Sequence, residues 1–493
     1  MTDAAFTLID WAFVAMMVAL ILFVGYRASR SNRSQKDYIL GGSDMNPFLV
    51  GLSLFATMFS TLSYLSYPGE TIQYGPLFCA GLLSFPLAGW VVGKFLIPKF
   101  MELRVSSAYE ILEIRLGKNT RNLAVAFFLI LRFLWMSTLV YATVKAALQP
   151  ILGISDSMSQ LACFGIVLVT VVYTAMGGLK AVVRTDAIQS VIMFIGCIIT
   201  IVIVLASDGI GDVLSDKSMY AHWLCWDWKP RMNTRMTAAN IFIMNCLWQI
   251  CTAGSDQMAI QRYYAVGDVR KARRTFNISL LSSALIQILL AVVGIMVMAY
   301  FTRFPEMMDA GTAIQTNADT LFPRFILVGM PVGLTGLIAA AVMAAAMSSL
   351  SSGLNSWATV FQEDILKRTK RGREREYSVG TIRKISIAAG VLVAGASILV
   401  GYVQGNLFDV IVKVVNLVVS PLFVLFFMAL FIPKSTDWGV VAGGVISLFI
   451  AILVAFFSIF GITPLWVMPS SLVAGIVAAY VLSFIDRKIS GNN

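Results

Sequence analysis

Long apolar stretches recur from one end of the chain to the other, separated by short loops rich in lysine and arginine. A helix needs about 20 mainly apolar residues to cross a hydrocarbon core about 30 Å thick, and most of these stretches reach that length. The pattern predicts a single transmembrane domain over residues 1–493, an all-α polytopic membrane protein. We expect about 13 transmembrane helices, with a peripheral first helix over 8–26 and two extra C-terminal helices within 440–485.

Two of the predicted spans are interrupted by polar or helix-breaking residues. The span over 45–74 contains several hydroxyl residues and closes with Pro68 and Gly69, and the span over 238–253 ends at Gly254. Unwound backbone at membrane depth is tolerated where it lines a cavity or is buried in protein. Because the two interruptions lie about five spans apart, they predict two inverted repeats with a site near the middle of the membrane. The repeats are expected over residues 45–206 and 238–432.

A serine-rich segment, residues 344–356, lies inside another apolar span. Small residues there allow a second helix to approach closely, and hydroxyl oxygens with nearby carbonyls can replace the water shell of a small cation. The alternative interpretation is a small-residue packing stripe with serine hydrogen bonds, which is common in membrane helices. The polar side chains recur at steps of three and four and so share one helix face: Ser348, Ser351, Ser352 and Asn355.

The composition excludes several classes of function. Of the 493 residues 58% are hydrophobic and 13% are charged, and the net charge is +11. The basic residues cluster in loops between spans, as membrane topology requires, so they do not indicate a nucleic-acid partner. Arg27 after the first span and Arg487 after the last predict an N-terminus outside and a C-terminus in the cytoplasm. The sequence offers no nucleophile–base pair, phosphate-binding loop or redox ligand set, so we do not expect an enzyme.

Four stretches resemble those of one transporter family. They are GGLKAVVRTDAIQS (177–190), AAAMSSLSSGLNSWATVFQEDI (344–365), SDQMAIQRYYAV (255–266) and FSTLSYLSYPGETIQYG (59–75). Through them the chain resembles the sodium:solute symporter family, which includes proline, sialic acid, sugar, monocarboxylate, multivitamin and iodide symporters. The resemblance implies a leucine-transporter-like fold, with two inverted five-helix repeats plus peripheral helices.

The resemblance also implies one or two sodium sites. The first would use the carbonyl oxygens of three residues and the hydroxyls of two more. The second, described only in some members, would use a carboxylate with further serines. An intramembrane carboxylate usually has a function, but the alternative for Asp186 is an interfacial acid bonded to loop amides or to Arg184. The implied ligands are Ala56, Phe59, Ala345, Ser348 and Ser349 for the first site, and Asp186, Ser348, Ser351 and Ser352 for the second.

The resemblance further implies a substrate site between the broken helices. Arg132 lies one turn from the place where sialic acid symporters carry a carboxylate-binding arginine, and Trp135 occupies the nearest matching place. Arg132 can take a carboxylate, or it can pair with Glu70, Asp409 or a helix carbonyl. Sugar symporters carry a glutamine where Ser63 stands, which argues against a plain hexose. The implied substrate-binding residues are Ser60, Ser63, Phe78, Arg132, Trp135, Asn245 and Gln249.

These observations favour a sodium-coupled secondary active symporter that imports a small polar or anionic organic solute by alternating access. A carboxylate-bearing solute, such as sialic acid or a monocarboxylate, is expected. The alternatives are a sugar or proline-type amino-acid symporter, or a substrate sensor on the same fold that does not transport. We expect a monomer in a bacterial inner membrane, with the solute and the lipid bilayer as its partners.

Overall fold

The computed structural model describes residues 6–30, 35–103, 105, 107–309, 311–369, 378–400 and 407–490, without the side chains of Lys36, 407–416 and Phe460. Every regular element in these ranges is helical. The principal helices are α1 (Leu8–Ser29), α2 (Pro47–Met58), α3 (Thr61–Tyr74), α4 (Pro76–Leu103), α5 (Lys118–Leu152), α6 (Asp156–Leu205), α7 (Ala238–Ser255), α8 (Gln257–Ala265), α9 (Val269–Arg303), α10 (Ala318–Val328), α11 (Leu334–Leu366), α12 (Val379–Leu399), α13 (Leu407–Phe431), α14 (Asp437–Phe457) and α15 (Val467–Ile489).

The first interrupted span is the pair α2 and α3, whose axes meet at 67°. Helix α2 ends because Phe59 takes an extended backbone conformation, with φ −99° and ψ 104°. Helix α3 restarts after Ser60, whose hydroxyl accepts the backbone N–H of Ser63 at 3.5 Å and so caps the new helix. The expectation that Pro68 and Gly69 close the helix is wrong, since both lie inside α3.

The second interrupted span is the pair α7 and α8, separated by the single residue Asp256. Its backbone is extended, with φ −87° and ψ 123°, and its side chain accepts the backbone N–H of Met258 at 3.0 Å. The break therefore follows Ser255 rather than Gly254, because a capping carboxylate begins the next helix.

Helix α6 is 50 residues long and covers two of the predicted spans. Gly178 divides it with φ 55° and ψ −150°, a conformation that a residue with a side chain adopts only under strain. Within the described residues, nine helices are long and apolar enough to cross a membrane, or ten if the bent pair counts as one span. The predicted total of about 13 is not confirmed.

Helix α11 lies at the centre of the bundle, where it packs against α6, α1, α5 and α2. Most of its side chains, including the serine-rich face, are fully buried. Its N-terminus is held by Asp10 of the peripheral helix α1, a residue that is itself buried. The Asp10 carboxylate accepts the backbone N–H groups of Gly333 and Gly336 at 2.9 and 2.8 Å. A peripheral helix thus satisfies two amides that begin the central one.

Candidate cation and substrate site

Oxygen atoms from α2 and α11 meet where α2 ends. The Ser348 hydroxyl donates to the carbonyl of Ala56 at 2.8 Å and lies 3.1 Å from the carbonyl of Ala345. The Ser349 hydroxyl lies 3.3 Å from the carbonyl of Ala56 and 3.2 Å from that of Thr57. Four of the five residues expected to form the first sodium site are therefore within hydrogen-bonding distance of one another.

The chemistry of this group fits a small hard cation. The carbonyls of Ala56 and Thr57 belong to the last turn of α2, where carbonyl oxygens lack intrahelical donors. The same helix end carries the negative pole of the helix dipole. Phe59, the fifth expected residue, is the extended residue at the break itself. A sodium ion here would be held by the carbonyls of Ala56, Phe59 and Ala345 and by the hydroxyls of Ser348 and Ser349.

A second group of polar side chains surrounds Asp186, which is fully buried. Its carboxylate accepts the hydroxyl of Ser53 at 2.6 Å and that of Ser352 at 3.3 Å, while the Ser351 hydroxyl lies at 3.5 Å. The interfacial alternative for this residue is wrong, because Arg184 is exposed whereas Asp186 is fully buried and bonds to Ser53 and Arg262. The structure brings Asp186, Ser351 and Ser352 together as the resemblance implied.

Arg262, which the sequence analysis did not single out, occupies the centre of this second group. It is 1% exposed and forms an ion pair with Asp186 at 3.1 Å. The nitrogen Nη2 also donates to Thr57 at 2.6 Å and to Ser352 at 2.7 Å. The guanidinium of Arg262 therefore contacts Oδ2 of Asp186 and the hydroxyl of Ser352, two of the oxygens that the resemblance implied for a second sodium ion. One sequence signal was available: Arg262 lies in the stretch 255–266 that carries the resemblance, and an arginine in a buried helix requires a buried acid.

A cavity lies beside the first oxygen group and between the two interrupted spans. Tyr67 and Phe78 stack in its wall, with ring centroids 4.5 Å apart. The cavity is lined by all seven residues expected to bind substrate: Ser60, Ser63, Phe78, Arg132, Trp135, Asn245 and Gln249.

Arg132 is the one charged residue among the described residues that line this cavity. It forms an ion pair with Asp256, the residue at the break between α7 and α8, and its guanidinium lies 5.1 Å from the centre of the Trp135 ring. Pairing with Glu70 does not occur, because Glu70 accepts both terminal nitrogens of Arg235 at 2.8 and 3.2 Å. The side chain of Asp409 lies outside the described residues.

Several polar atoms in the cavity wall have no hydrogen-bond partner among the described residues. They are Nε of Arg132, the hydroxyl of Ser66 and Oε1 of Gln287. Ser66 and Gln287 were not predicted as site residues. Gln287 and Ser283 also line the cavity from α9, and their i, i+4 spacing within an apolar span was the available signal. Buried polar atoms are normally satisfied, so these three atoms in the cavity wall are candidates for contact with a polar ligand.

Two interrupted membrane helices, with unwound carbonyls beside a polar cavity, define the class of ion-coupled secondary transporters. The family follows from comparison with known proteins. The chain belongs to the sodium:solute symporter family, whose model matches residues 38–447. The predicted family and its leucine-transporter-like all-α fold are thereby confirmed, as is a multi-pass membrane protein.

Relatives and a solved structure cover nearly all of the chain. The sodium/sialic acid symporter SiaT of Proteus mirabilis is 29% identical over 463 residues, covering 91% of this chain and 90% of that protein. Sodium-coupled monocarboxylate transporter 1 of Xenopus laevis is 28% identical over 447 residues, covering 89% and 70%. A structure of a Na+-coupled sialic acid symporter, in a substrate-bound outward-open state, matches with a TM-score of 0.86 at 25% identity, covering 97% and 98%.

Proposed function

We propose that this protein is a sodium-coupled symporter that imports a small carboxylate-bearing solute by alternating access. The observation that carries the proposal is the meeting of carbonyl oxygens at the end of α2 with the hydroxyls of Ser348 and Ser349 on α11, at 2.8 to 3.3 Å. These oxygens suit a dehydrated sodium ion, because carbonyl and hydroxyl dipoles replace its water shell. The ion supplies the driving force, and the protein undergoes no covalent chemistry.

Coupling follows from the two helices that share the ion. Sodium bound between α2 and α11 holds these helices together and fixes the cavity wall that Ser60 and Ser63 form at the start of α3. The solute then binds with higher affinity to the sodium-loaded state. By linkage, sodium binds more tightly when the solute is present. This mutual increase in affinity couples the solute to the ion.

The substrate class is supported by the charge in the cavity. Arg132 presents an unpartnered Nε, and a guanidinium pairs well with a carboxylate. Ser66 and Gln287 offer unpartnered oxygens for hydroxyl or amide groups of the same solute. The relatives named as sialic acid and monocarboxylate transporters carry solutes of this chemistry. Sialic acid or a short monocarboxylate therefore suits the cavity better than a neutral sugar.

The membrane orientation belongs to the same proposal. Arg27 lies in the last turn of α1 and Arg30 follows that helix, while Arg487 and Lys488 lie in the last turn of α15. The positive-inside rule then assigns these ends to the cytoplasm, with the N-terminus outside. We propose a monomer in a bacterial inner membrane.

The test is solute uptake into proteoliposomes with and without an inward sodium gradient. We expect accumulation of labelled sialic acid or pyruvate only with the gradient. Ser348→Ala removes a ligand and should raise the sodium concentration for half-maximal uptake at least tenfold. Ser356→Ala is the matched control, because this buried serine donates only to carbonyls of its own helix. Uptake that ignores the sodium gradient, or solute binding without accumulation, would contradict the proposal and favour a sensor.

A further inference from the structure

The guanidinium of Arg262 has the surroundings of a bound cation. A single nitrogen, Nη2, lies 2.8 Å from the Ser53 hydroxyl, 2.6 Å from Thr57, 2.7 Å from Ser352 and 3.1 Å from the Asp186 carboxylate. Four oxygens around one nitrogen exceed its two hydrogens, so this shell resembles ion coordination more than a set of directed hydrogen bonds. Nε donates to Ser53 at 3.0 Å and anchors the group further.

Two of these four oxygens would also have to serve a second sodium ion. Nη2 contacts the Asp186 oxygen Oδ2, and it also contacts Ser352, one of the serines that the resemblance implied for that ion. A sodium ion on these atoms would lie directly beside a buried positive charge. The exposed fraction is 0% for Asp186 and 1% for Arg262, so solvent does not screen the repulsion between a sodium ion and the guanidinium.

Arg262 reaches the site from a helix other than those that supply the oxygens. It stands on α8, the short helix after the Asp256 break, and its Nη1 donates to the carbonyl of Met258 on the same helix at 2.9 Å. The oxygens come from α2, α6 and α11. The positive charge is therefore covalently attached to one of the interrupted spans, whereas a sodium ion would exchange with water.

We infer that Arg262 is the resident cation of the Asp186 group, and that this protein consequently couples solute uptake to one sodium ion. That ion is the one held between Ala56 and Ser349. The inference rests on the proposed function and adds the stoichiometry of coupling. It also implies that the oxygens around Asp186 become a sodium site when the guanidinium is removed.

Binding of labelled sodium to the purified full-length protein tests the inference. We expect one ion per wild-type protein, and at least tenfold weaker binding of that ion after Ser348→Ala. Arg262→Ala should bind two ions, and the Hill coefficient of sodium-dependent thermal stabilisation should rise from about 1 toward 2. Asp186→Asn combined with Arg262→Ala should return to one ion, because the second site then lacks its carboxylate.

The outcomes separate this inference from the proposed function. Two ions on the wild-type protein would overturn the inference and leave sodium coupling intact, whereas no bound sodium at all would refute the proposed function itself. An Arg262→Ala protein that folds and still binds one ion would also overturn the inference. If that variant does not fold, the neutral pair Asp186→Asn with Arg262→Met decides, since it should bind the same single ion as the wild type. Loss of one ion in the neutral pair would contradict the inference.

Discussion

Arg132 and Asp256 offer the sharpest test of how the cavity recognises its solute. The two residues are 6% and 4% exposed and form an ion pair at the edge of the cavity. A solute carboxylate at Arg132 competes with Asp256 for the same guanidinium. Removing the charge of Arg132 should therefore lower solute affinity, and removing the charge of Asp256 should raise it, although both variants disturb the same contact.

The expected magnitudes follow from the contacts. Arg132→Gln removes hydrogen bonds to a charged group, which contribute about 1.5–3 kcal/mol. Solute affinity should fall about 10- to 160-fold. Asp256→Asn removes the competing carboxylate and should tighten binding about tenfold, or about 1.4 kcal/mol. Asparagine is as good a helix cap as aspartate, so the side-chain bond from residue 256 to the Met258 N–H, which caps α8, should survive.

Stability has to be controlled in this pair of variants. Arg132→Gln leaves a buried carboxylate without its counter-charge, which destabilises a protein by about 3–5 kcal/mol. The double variant Arg132→Gln with Asp256→Asn has no buried charge at this place and should unfold at close to the wild-type temperature. Its solute affinity should match that of Arg132→Gln alone.

The assay is calorimetric titration of the purified protein, in saturating sodium, with the acid solute and with its methyl ester. The ester adds one methyl group and removes the charge, so the three variants should bind it with similar affinity. Equal losses for acid and ester, or weaker acid binding by Asp256→Asn, would refute recognition of the carboxylate by Arg132.

Two further substitutions test the scaffold of the site. Asp10→Ala should destabilise the protein by about 2 kcal/mol, because charge-assisted bonds to Gly333 and Gly336 are lost; thermal unfolding in detergent measures it, and Asp10→Asn should retain part of the effect. Gly178→Ala should lower the unfolding temperature through about 1–3 kcal/mol of backbone strain at φ 55°, and because a new Cβ would meet Tyr38. An unchanged unfolding temperature in either alanine variant would contradict the role given to that residue.

The cation group beside α2 was predictable because its signals are local. Ser348 and Ser349 are neighbours in one apolar helix, and the polar stretch after Ala56 predicts an interrupted span. The exact place of the interruption was not predictable, since Pro68 is the stronger breaker by composition. In the structure the Ser60 side chain caps a new helix, and α3 then continues through the proline.

The partners of the buried charges were not predictable from spacing. Asp186 and Arg262 are 76 residues apart, and only the packing of α8 against α2 and α11 brings them together. Arg132 and Asp256 are likewise joined by helices from the two halves of the chain. The sequence analysis singled out Asp186 and Arg132, and Asp256 and Arg262 lie in the quoted stretch 255–266, but the pairing of these charges depends on the tertiary arrangement.

The carboxylate of Asp10 has a consequence for synthesis of the protein. The amide of Gly333 that it accepts is made 323 residues later. At about 5–20 residues per second, the ribosome needs about 16 to 65 s to supply it. During that interval Thr7 already donates to Oδ2 of Asp10, whereas Oδ1 still lacks the amides of Gly333 and Gly336. The bundle therefore cannot close around α11 until more than two thirds of the chain has been translated.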